Sequence, residues 1–193
     1  MPDHIQQIRE QLCESARVKE SLSEELLAKI ARFAQEAASA IRNGHKIIFF
    51  GNGGSAADAQ HLAAELVVRL ERNRLGLPAI SLATNTSILT AAGNDFGFER
   101  IFSRQIESLA SAGDVLVALS TSGNSANVLQ AVDSGRERRA FIVGLTGETG
   151  GRLTSKVDLL LNVPSRNAQR IQEAHITIGH IVCGLIEQIC CVD

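Results

Sequence analysis

The stretch Gly113–Val128, GDVLVALSTSGNSANV, decides the fold. Val115–Leu119 is a run of five apolar residues without polar alternation, the pattern of a short strand buried on both faces. Ser120-Thr121-Ser122-Gly123-Asn124-Ser125 follows as a turn, and a helical pattern begins directly after it. The same order occurs upstream. Lys46–Phe50 (KIIFF) is a strand, Gly51-Asn52-Gly53-Gly54-Ser55 is a turn, and SAADAQHLAAELVVRL reads as a helix. Ala79–Leu82 (AISL) is a weaker strand after Pro78, and Phe141–Leu145 (FIVGL) and Leu159–Val163 (LLLNV) bring the number to five. Five short apolar strands alternating with helices predict a mostly parallel sheet covered on both faces, an α/β three-layer sandwich.

Two helices precede the first strand. Ile5, Ile8, Leu12, Cys13 and Val18 give residues 3–20 an amphipathic pattern. Ser21-x-x-Glu24 has the form of a capping box for the second helix, with Ser23 as a competing cap. That helix is expected to run to about Asn43, with Leu26, Leu27, Ile30, Phe33, Ala34, Ala37 and Ile41 on one face and Gly44 as its stop. Together with a long terminal helix, this is more apolar surface than a five-stranded sandwich needs. The expectation is a helical bundle between subunits, the alternative being helices that pack on the sheet. Residues 1–193 read as one domain, with a helical extension over about 1–44.

The chain of 193 residues is 45% apolar and carries a formal net charge of −2. No basic stripe suggests nucleic acid, and no window approaches 18 uninterrupted apolar residues, so neither nucleic acid nor a membrane is expected as a partner. The first twenty residues lack the apolar core of a secretory signal, which points to the cytoplasm. Cys13, Cys183, Cys190 and Cys191 form no C-x-x-C pair and are expected to be reduced, mostly buried thiols.

Both Ser/Gly turns end a strand and open a helix, where backbone N–H groups and the helix dipole favour an anion. Ser120, Thr121, Ser122 and Ser125 add hydroxyls, Ser55 adds another and Asn52 an amide. Neither turn is a Walker loop or a G-x-G-x-x-G fingerprint. Ser55 and Ser125 could instead be plain helix caps; two such loops in one sheet favour a phosphate. His61 and Glu65, four apart, share a helix face and suit a divalent cation. Gln172 and His180, eight apart in the terminal helix, are offset by roughly 80° and can share a face. His175 points elsewhere and reads as structural, as do His4 and His45. Arg69 could pair with Glu65 at i,i+4. An acid, an imidazole and a phosphate cradle suit proton transfer next to a carbonyl on a sugar phosphate, with no organic cofactor.

Taken together, GNGGSAADAQHLAAEL, AGNDFGFERIFSRQ, GDVLVALSTSGNSANV, LTGETGG and RIQEAHITIGH resemble the phosphoheptose isomerases of the sugar-isomerase (SIS) domain family. The resemblance implies a flavodoxin- or Rossmann-like SIS domain that interconverts sedoheptulose 7-phosphate and D-glycero-D-manno-heptose 7-phosphate, early in the route to the heptose of lipopolysaccharide core. It further implies a cytoplasmic homotetramer with active sites at subunit interfaces and one zinc per subunit. By position, Glu65 and His180 correspond to the acid–base pair, and His61, Glu65, Gln172 and His180 to the zinc ligands. Asn52, Gly53, Ser55, Ser120, Thr121, Ser122 and Ser125 correspond to phosphate binders, and Arg69, Asn94 and Asp95 to polar residues around the substrate. Some members carry Asp where this chain has Gln169, which is given no catalytic role. A non-enzymatic SIS-domain tetramer that binds the bacterial replication initiator is the alternative, but in it the positions of Glu65 and His180 do not carry the pair.

Overall fold

The computed structural model describes residues 3–191. The chain order is α1 (His4–Glu20), α2 (Glu24–Arg42), β1 (Ile47–Gly51), α3 (Gly54–Val67), β2 (Ala79–Ser81), α4 (Thr86–Phe96), α5 (Ser103–Leu109), β3 (Val115–Leu119), α6 (Ala126–Glu137), β4 (Phe141–Thr146), β5 (Leu159–Asn162) and α7 (Ala168–Cys190). Single 3-10 turns lie at Phe98–Arg100 and Gly151–Ser155. The five strands form one sheet in the order β2-β1-β3-β4-β5, and every pairing is parallel. The expected mixture of directions reduces to a purely parallel sheet.

Strands buried on both faces explain the unbroken apolar runs. Ile47, Phe49, Val115, Val117, Val143 and Leu145 pack into a core with α2, α3 and α7. Their neighbours Ile48, Phe50, Leu116, Ala118 and Ile142 pack on the other face with α4, α5 and α6. Each fully buried side chain of this size contributes about 1.5–3 kcal/mol by leaving water, so neither face tolerates a polar residue in β1 or β3.

Strand order sets the place of a ligand. The chain goes from β1 outward to β2, then returns past β1 to β3 and continues to β5, so the order reverses between β1 and β3. In open parallel sheets the crevice beyond the carboxyl ends of the strands at such a reversal holds ligands. Gly51 is in register with Leu119, so the two Ser/Gly turns leave the same edge side by side.

The helix ends depart from expectation in two places, and the two leading helices differ in what they pack on. Ser23, not Ser21, caps α2, its side chain accepting from the Leu26 N–H at 3.2 Å; Ser21 instead closes α1. The second leading helix packs on the sheet, burying Leu26, Ile30, Phe33, Ala34 and Ala37. The first buries none of its residues, and Ile5, Ile8 and Leu12 are 70%, 60% and 67% exposed. Arg170 of α7, itself buried, fastens α1 by donating to the Gln11 carbonyl at 2.6 Å. The other departure is at α3, which stops at Val67 and does not run through Leu70.

Candidate functional site

Helix α3 places His61 and Glu65 one turn apart, and His61 Nε2 lies 2.9 Å from Glu65 Oε1. From α7, His180 brings its Nε2 within 2.9 Å of the same His61 nitrogen, the two rings meeting nearly edge to face at 4.9 Å between centroids. The three side chains offer ligand atoms that all lie within 4.8 Å of one another. One imidazole N–H cannot serve two neighbours equally well, and a cation can stand where that single proton is contested. Two imidazoles and a carboxylate are a borderline donor set that suits zinc. The cluster lines an open cavity of about 720 Å³ with Leu70, Glu71, Ile181 and Gln188. His61 is half exposed and Glu65 only 21% exposed.

The turns at the crevice show why they are not ordinary helix starts. Helices α1, α2, α4 and α7 each begin with a side chain that accepts a first-turn N–H: Asp3, Ser23, Asn85 and Asn167. Helices α3 and α6, like the seven-residue α5, have no such side-chain cap. Gly53, at φ 56°, precedes α3, and Ser55 lies inside the helix and buried. Ser125 stands at the cap position of α6, but its hydroxyl meets that of Ser120 at 3.2 Å instead. The capping role considered for Ser55 and Ser125 is therefore not what they do. Two helix dipoles and their first-turn N–H groups are left facing the crevice, a setting for an anion.

The second turn is held from behind. Gly123, at φ +65°, lies so close to Gly150 and Gly151 that a Cβ would meet the Gly150 carbonyl carbon at 2.6 Å. Ser122 is exposed, and its hydroxyl accepts the Asn124 N–H at 3.2 Å. The Thr121 carbonyl accepts from Gly147 at 3.0 Å.

Gln172 is two turns before His180 on α7, and its carboxamide packs on Gly54 at the start of α3. A Cβ at Gly54 would lie 2.8 Å from both Gln172 Cδ and Oε1. Asn94 and Asp95 stand on the exposed last turn of α4, Asn94 donating to Asp95 Oδ1 at 2.7 Å. No hydrogen bond among the described residues joins them to the triad. Arg69 lies beyond the end of α3, exposed, so it is not the i,i+4 partner of Glu65, a position His61 holds from the other side. His175 is fully buried with Nε2 3.1 Å from the Thr146 carbonyl; burial pushes its pKa down to about 4, so it is neutral. Gln169 is exposed in the first turn of α7. Of the cysteines only Cys183 is buried and Cys13 is exposed, against the expectation of mostly buried thiols. Burial and the charges of Glu65 and Glu187 push the Cys183 thiol up to about 12, leaving it inert.

Four contributors had no assigned part in the sequence. Glu187, buried on α7 two turns past His180, accepts the N–H groups of Leu70, Glu71 and Arg72 at 2.9, 3.1 and 3.2 Å. Arg74 pairs with it at 2.8 Å and donates on to the carbonyls of Leu66 and Glu65 at 2.8 and 2.9 Å. Burial alone would raise the Glu187 pKa, but those amides and the guanidinium hold it below the usual carboxylate range. This pair ends α3 at Val67 and holds Leu70 and Glu71 at the rim of the cavity. Asp58, one turn before His61, has its pKa raised by burial, an effect the nearby His61 partly opposes. Asn127, buried in the first turn of α6, bonds to Asn52 across the crevice.

Comparison with known proteins agrees with this geometry. A family model described as SIS domain matches residues 12–147. The phosphoheptose isomerase of Geobacter sulfurreducens is 54% identical over 184 residues, 95% of this chain and 97% of the relative. The solved phosphoheptose isomerase of Neisseria gonorrhoeae superposes with a TM-score of 0.90 at 43% identity, covering 95% of this chain and 98% of that one. That of Francisella tularensis gives a TM-score of 0.92 at 36% identity, covering 96% and 98%.

Proposed function

The chain belongs to the SIS domain family, and from that premise we propose that it is a sugar-phosphate isomerase that converts D-sedoheptulose 7-phosphate to D-glycero-D-manno-heptose 7-phosphate. The observation that carries this reading is one helix with two working ends. Helix α3 begins uncapped at the crevice, and seven residues further on His61 starts the triad. At 1.5 Å per residue that is a separation of about 10 Å. A phosphate at one end of a sugar chain and a carbonyl at the other call for such a separation.

The phosphate is held by the first-turn N–H groups of α3 and α6, with the hydroxyls of Ser55, Ser120, Thr121, Ser122 and Ser125 around it and Asn52 and Gly53 at the turn. Asn94, Asp95 and Arg69 are taken as polar contacts to the sugar. At the other end the Glu65 carboxylate removes the C1 proton of the ketose while His180 protonates O2. The enediol then collapses in reverse: the O1 proton leaves to the imidazole and Glu65 returns its proton to C2. One proton moves from C1 to C2 and one from O1 to O2, so no redox cofactor is consumed.

His61, Glu65 and His180 would hold a zinc ion, one per subunit, with Gln172 as a fourth, neutral oxygen donor. An atom bound to the ion cannot exchange a proton, so the ion would be displaced, or Glu65 would shift its coordination, for Glu65 and His180 to act as base and acid. When bound, zinc supplies positive charge to the oxygens on which the enediol's negative charge develops. The uncovered stripe of Ile5, Ile8 and Leu12 on α1, together with exposed Ile181 on α7, supports a homotetramer in which this helical face is shared between subunits. None of the described helices is long and apolar enough to cross a membrane, in keeping with a cytoplasmic enzyme of heptose synthesis for lipopolysaccharide core. The non-enzymatic, initiator-binding alternative has nothing in its favour here, since Glu65 and His180 are both present.

The test is turnover of sedoheptulose 7-phosphate by the purified chain beside Glu65→Gln and His180→Gln, with and without added zinc. Product from the wild type, and a rate at least a hundredfold lower in each variant at unchanged melting temperature, is the expected result. A folded wild type that forms no product under any metal condition would sink the proposal.

A further inference from the structure

The crevice between β1 and β3 is closed at its floor by a contact that none of the phosphate-binding residues requires. Asn52 follows β1 and Asn127 is the second residue of α6, after β3. Their carboxamides form a reciprocal pair: Asn52 Nδ2 donates to Asn127 Oδ1 at 2.8 Å, and Asn127 Nδ2 donates to Asn52 Oδ1 at 2.8 Å. The two residues are 75 apart in sequence, and Asn127 is 3% exposed. Both bonds therefore join the two anion-facing loops to each other, at the point where the strand order reverses.

We propose that Asn127 is a positioning residue for the phosphate cradle: it fixes the spacing of the two loops and the orientation of Asn52, and it acts on the substrate only through Asn52. Three features support this. A carboxamide at the second helical position often turns back to its own backbone, but here it spends one donor and one acceptor on the opposite loop. The helix that Asn127 opens lacks a side-chain cap, so its N–H groups are aimed by the loop alone. Finally, the backbones already touch at this level: a Cβ on Gly51 would lie 2.7 Å from the Leu119 carbonyl oxygen. That contact sets the strands but leaves the turns beyond them free to splay, and the paired amides are the side-chain link across them. The reciprocal geometry also commits the inner edge of Asn52, which leaves one N–H and the backbone of this residue for a ligand.

The inference rests on the isomerase reading, so the experiment separates the two. Asn127→Ala, Asn52→Ala and the double variant are compared with the wild type by steady-state kinetics on sedoheptulose 7-phosphate and by calorimetric titration with inorganic phosphate, a probe that does not depend on turnover. Asn127→Ala is expected to raise KM and weaken phosphate binding about tenfold while kcat falls less than threefold. In the Asn52→Ala background the same change should add nothing, because its route to the substrate is gone. Asn127→Asp, which keeps the volume and the helix start, covers the case in which alanine unfolds the chain; it loses the donor to Asn52 and should also weaken phosphate binding about tenfold or more. Effects of the two alanines that multiply in the double variant would overturn the proposal, as would wild-type KM and phosphate affinity in Asn127→Ala. A wild type that neither turns over the sugar nor binds phosphate would overturn the function itself, and this inference with it.

Discussion

Replacing Gly54 by alanine separates folding from catalysis. Gly54 opens α3 and does not have a positive φ, so the backbone accepts a side chain, and glycine is the poorer helix former by up to about 1 kcal/mol. What a Cβ meets is Gln172, with Cδ and Oε1 at 2.8 Å. The carboxamide nitrogen would lie nearer still, and ordinary contact begins near 3.4 Å, so the carboxamide must retreat by more than about 0.6 Å or swing away altogether. It is the flexible end of a half-buried side chain, and moving it costs the fold little. For the site the cost is larger, because displacements approaching 1 Å in a reacting constellation lower rates by up to about a hundredfold. Gly54→Ala should therefore melt at or slightly above the wild-type temperature, while kcat/KM falls ten- to a hundredfold, about 1.4–2.7 kcal/mol of lost transition-state stabilisation. Zinc affinity, read by competition with a chelator, should fall in parallel. Added to Gln172→Ala, the substitution should have no further effect on activity. Full activity in Gly54→Ala would refute the reasoning by taking Gln172 out of the site, and a stability loss above about 1 kcal/mol would show that the contact is core packing.

Two further predictions concern stability. His175, neutral when buried with its pKa down to about 4, takes up its proton near pH 6.5 when unfolded, so the unfolded state binds more protons between those values. Stability is full above pH 6.5 and falls by about 3 kcal/mol as the pH drops toward 4; urea unfolding of His175→Gln should lack that part of the acid slope, and an unchanged slope would assign it to other groups. Glu187→Gln leaves Arg74 charged and buried without its partner, at a cost on the order of 3–5 kcal/mol. Limited proteolysis should then cut within residues 68–77, and a chain cut no faster than wild type would mean that the pair does not hold this loop.

The strands were legible because they are buried on both faces: Val115–Leu119 begins and ends where its apolar run does. Helix ends were less so wherever their partners are remote. The run HLAAELVVRL continues apolar and helical past Val67, and what stops it is Glu187, whose bond to Arg74 spans 113 residues of sequence. Ser21 and Ser23 each fit a cap, and the difference between them is only which one faces the Leu26 N–H. Helices α1 and α2 carry similar stripes in sequence, yet only α2 reaches the sheet. Of the site, the His61–Glu65 pair followed from spacing alone, whereas the approach of His180 to 2.9 Å depends on how α7 crosses α3. Gly179 shows how close that crossing is: a Cβ there would lie 2.5 Å from Leu62 Cδ2. No pattern within either helix encodes such a contact. Asn127 and Arg74 escaped notice for the same reason, since each acts on a segment far from it in sequence.

The division of labour in the crevice has a chemical consequence. From Gly51 to Ala57 and from Ser120 to Ala126 there is no lysine or arginine, so the anion is to be met by N–H groups, helix dipoles and hydroxyls. A cationic side chain would bind phosphate more strongly at long range. Its effect on Glu65 would be small, because the start of α3 lies about 16 Å from that residue at 1.5 Å per residue and a charge shifts a carboxylate strongly only within about 4–6 Å. Dipoles likewise act over one turn and then fade, and Glu65 stands about three turns from the start of α3. Whatever holds the dianion at one end of the substrate therefore leaves the proposed base at the other to be set by its own neighbours, His61 and His180 and the ion they would hold. On this argument, Ser122→Lys, at an exposed position of the second loop, would tighten binding of inorganic phosphate and lower KM while kcat stays within about twofold of the wild type; a large fall in kcat would show that charge at the cradle does reach the base.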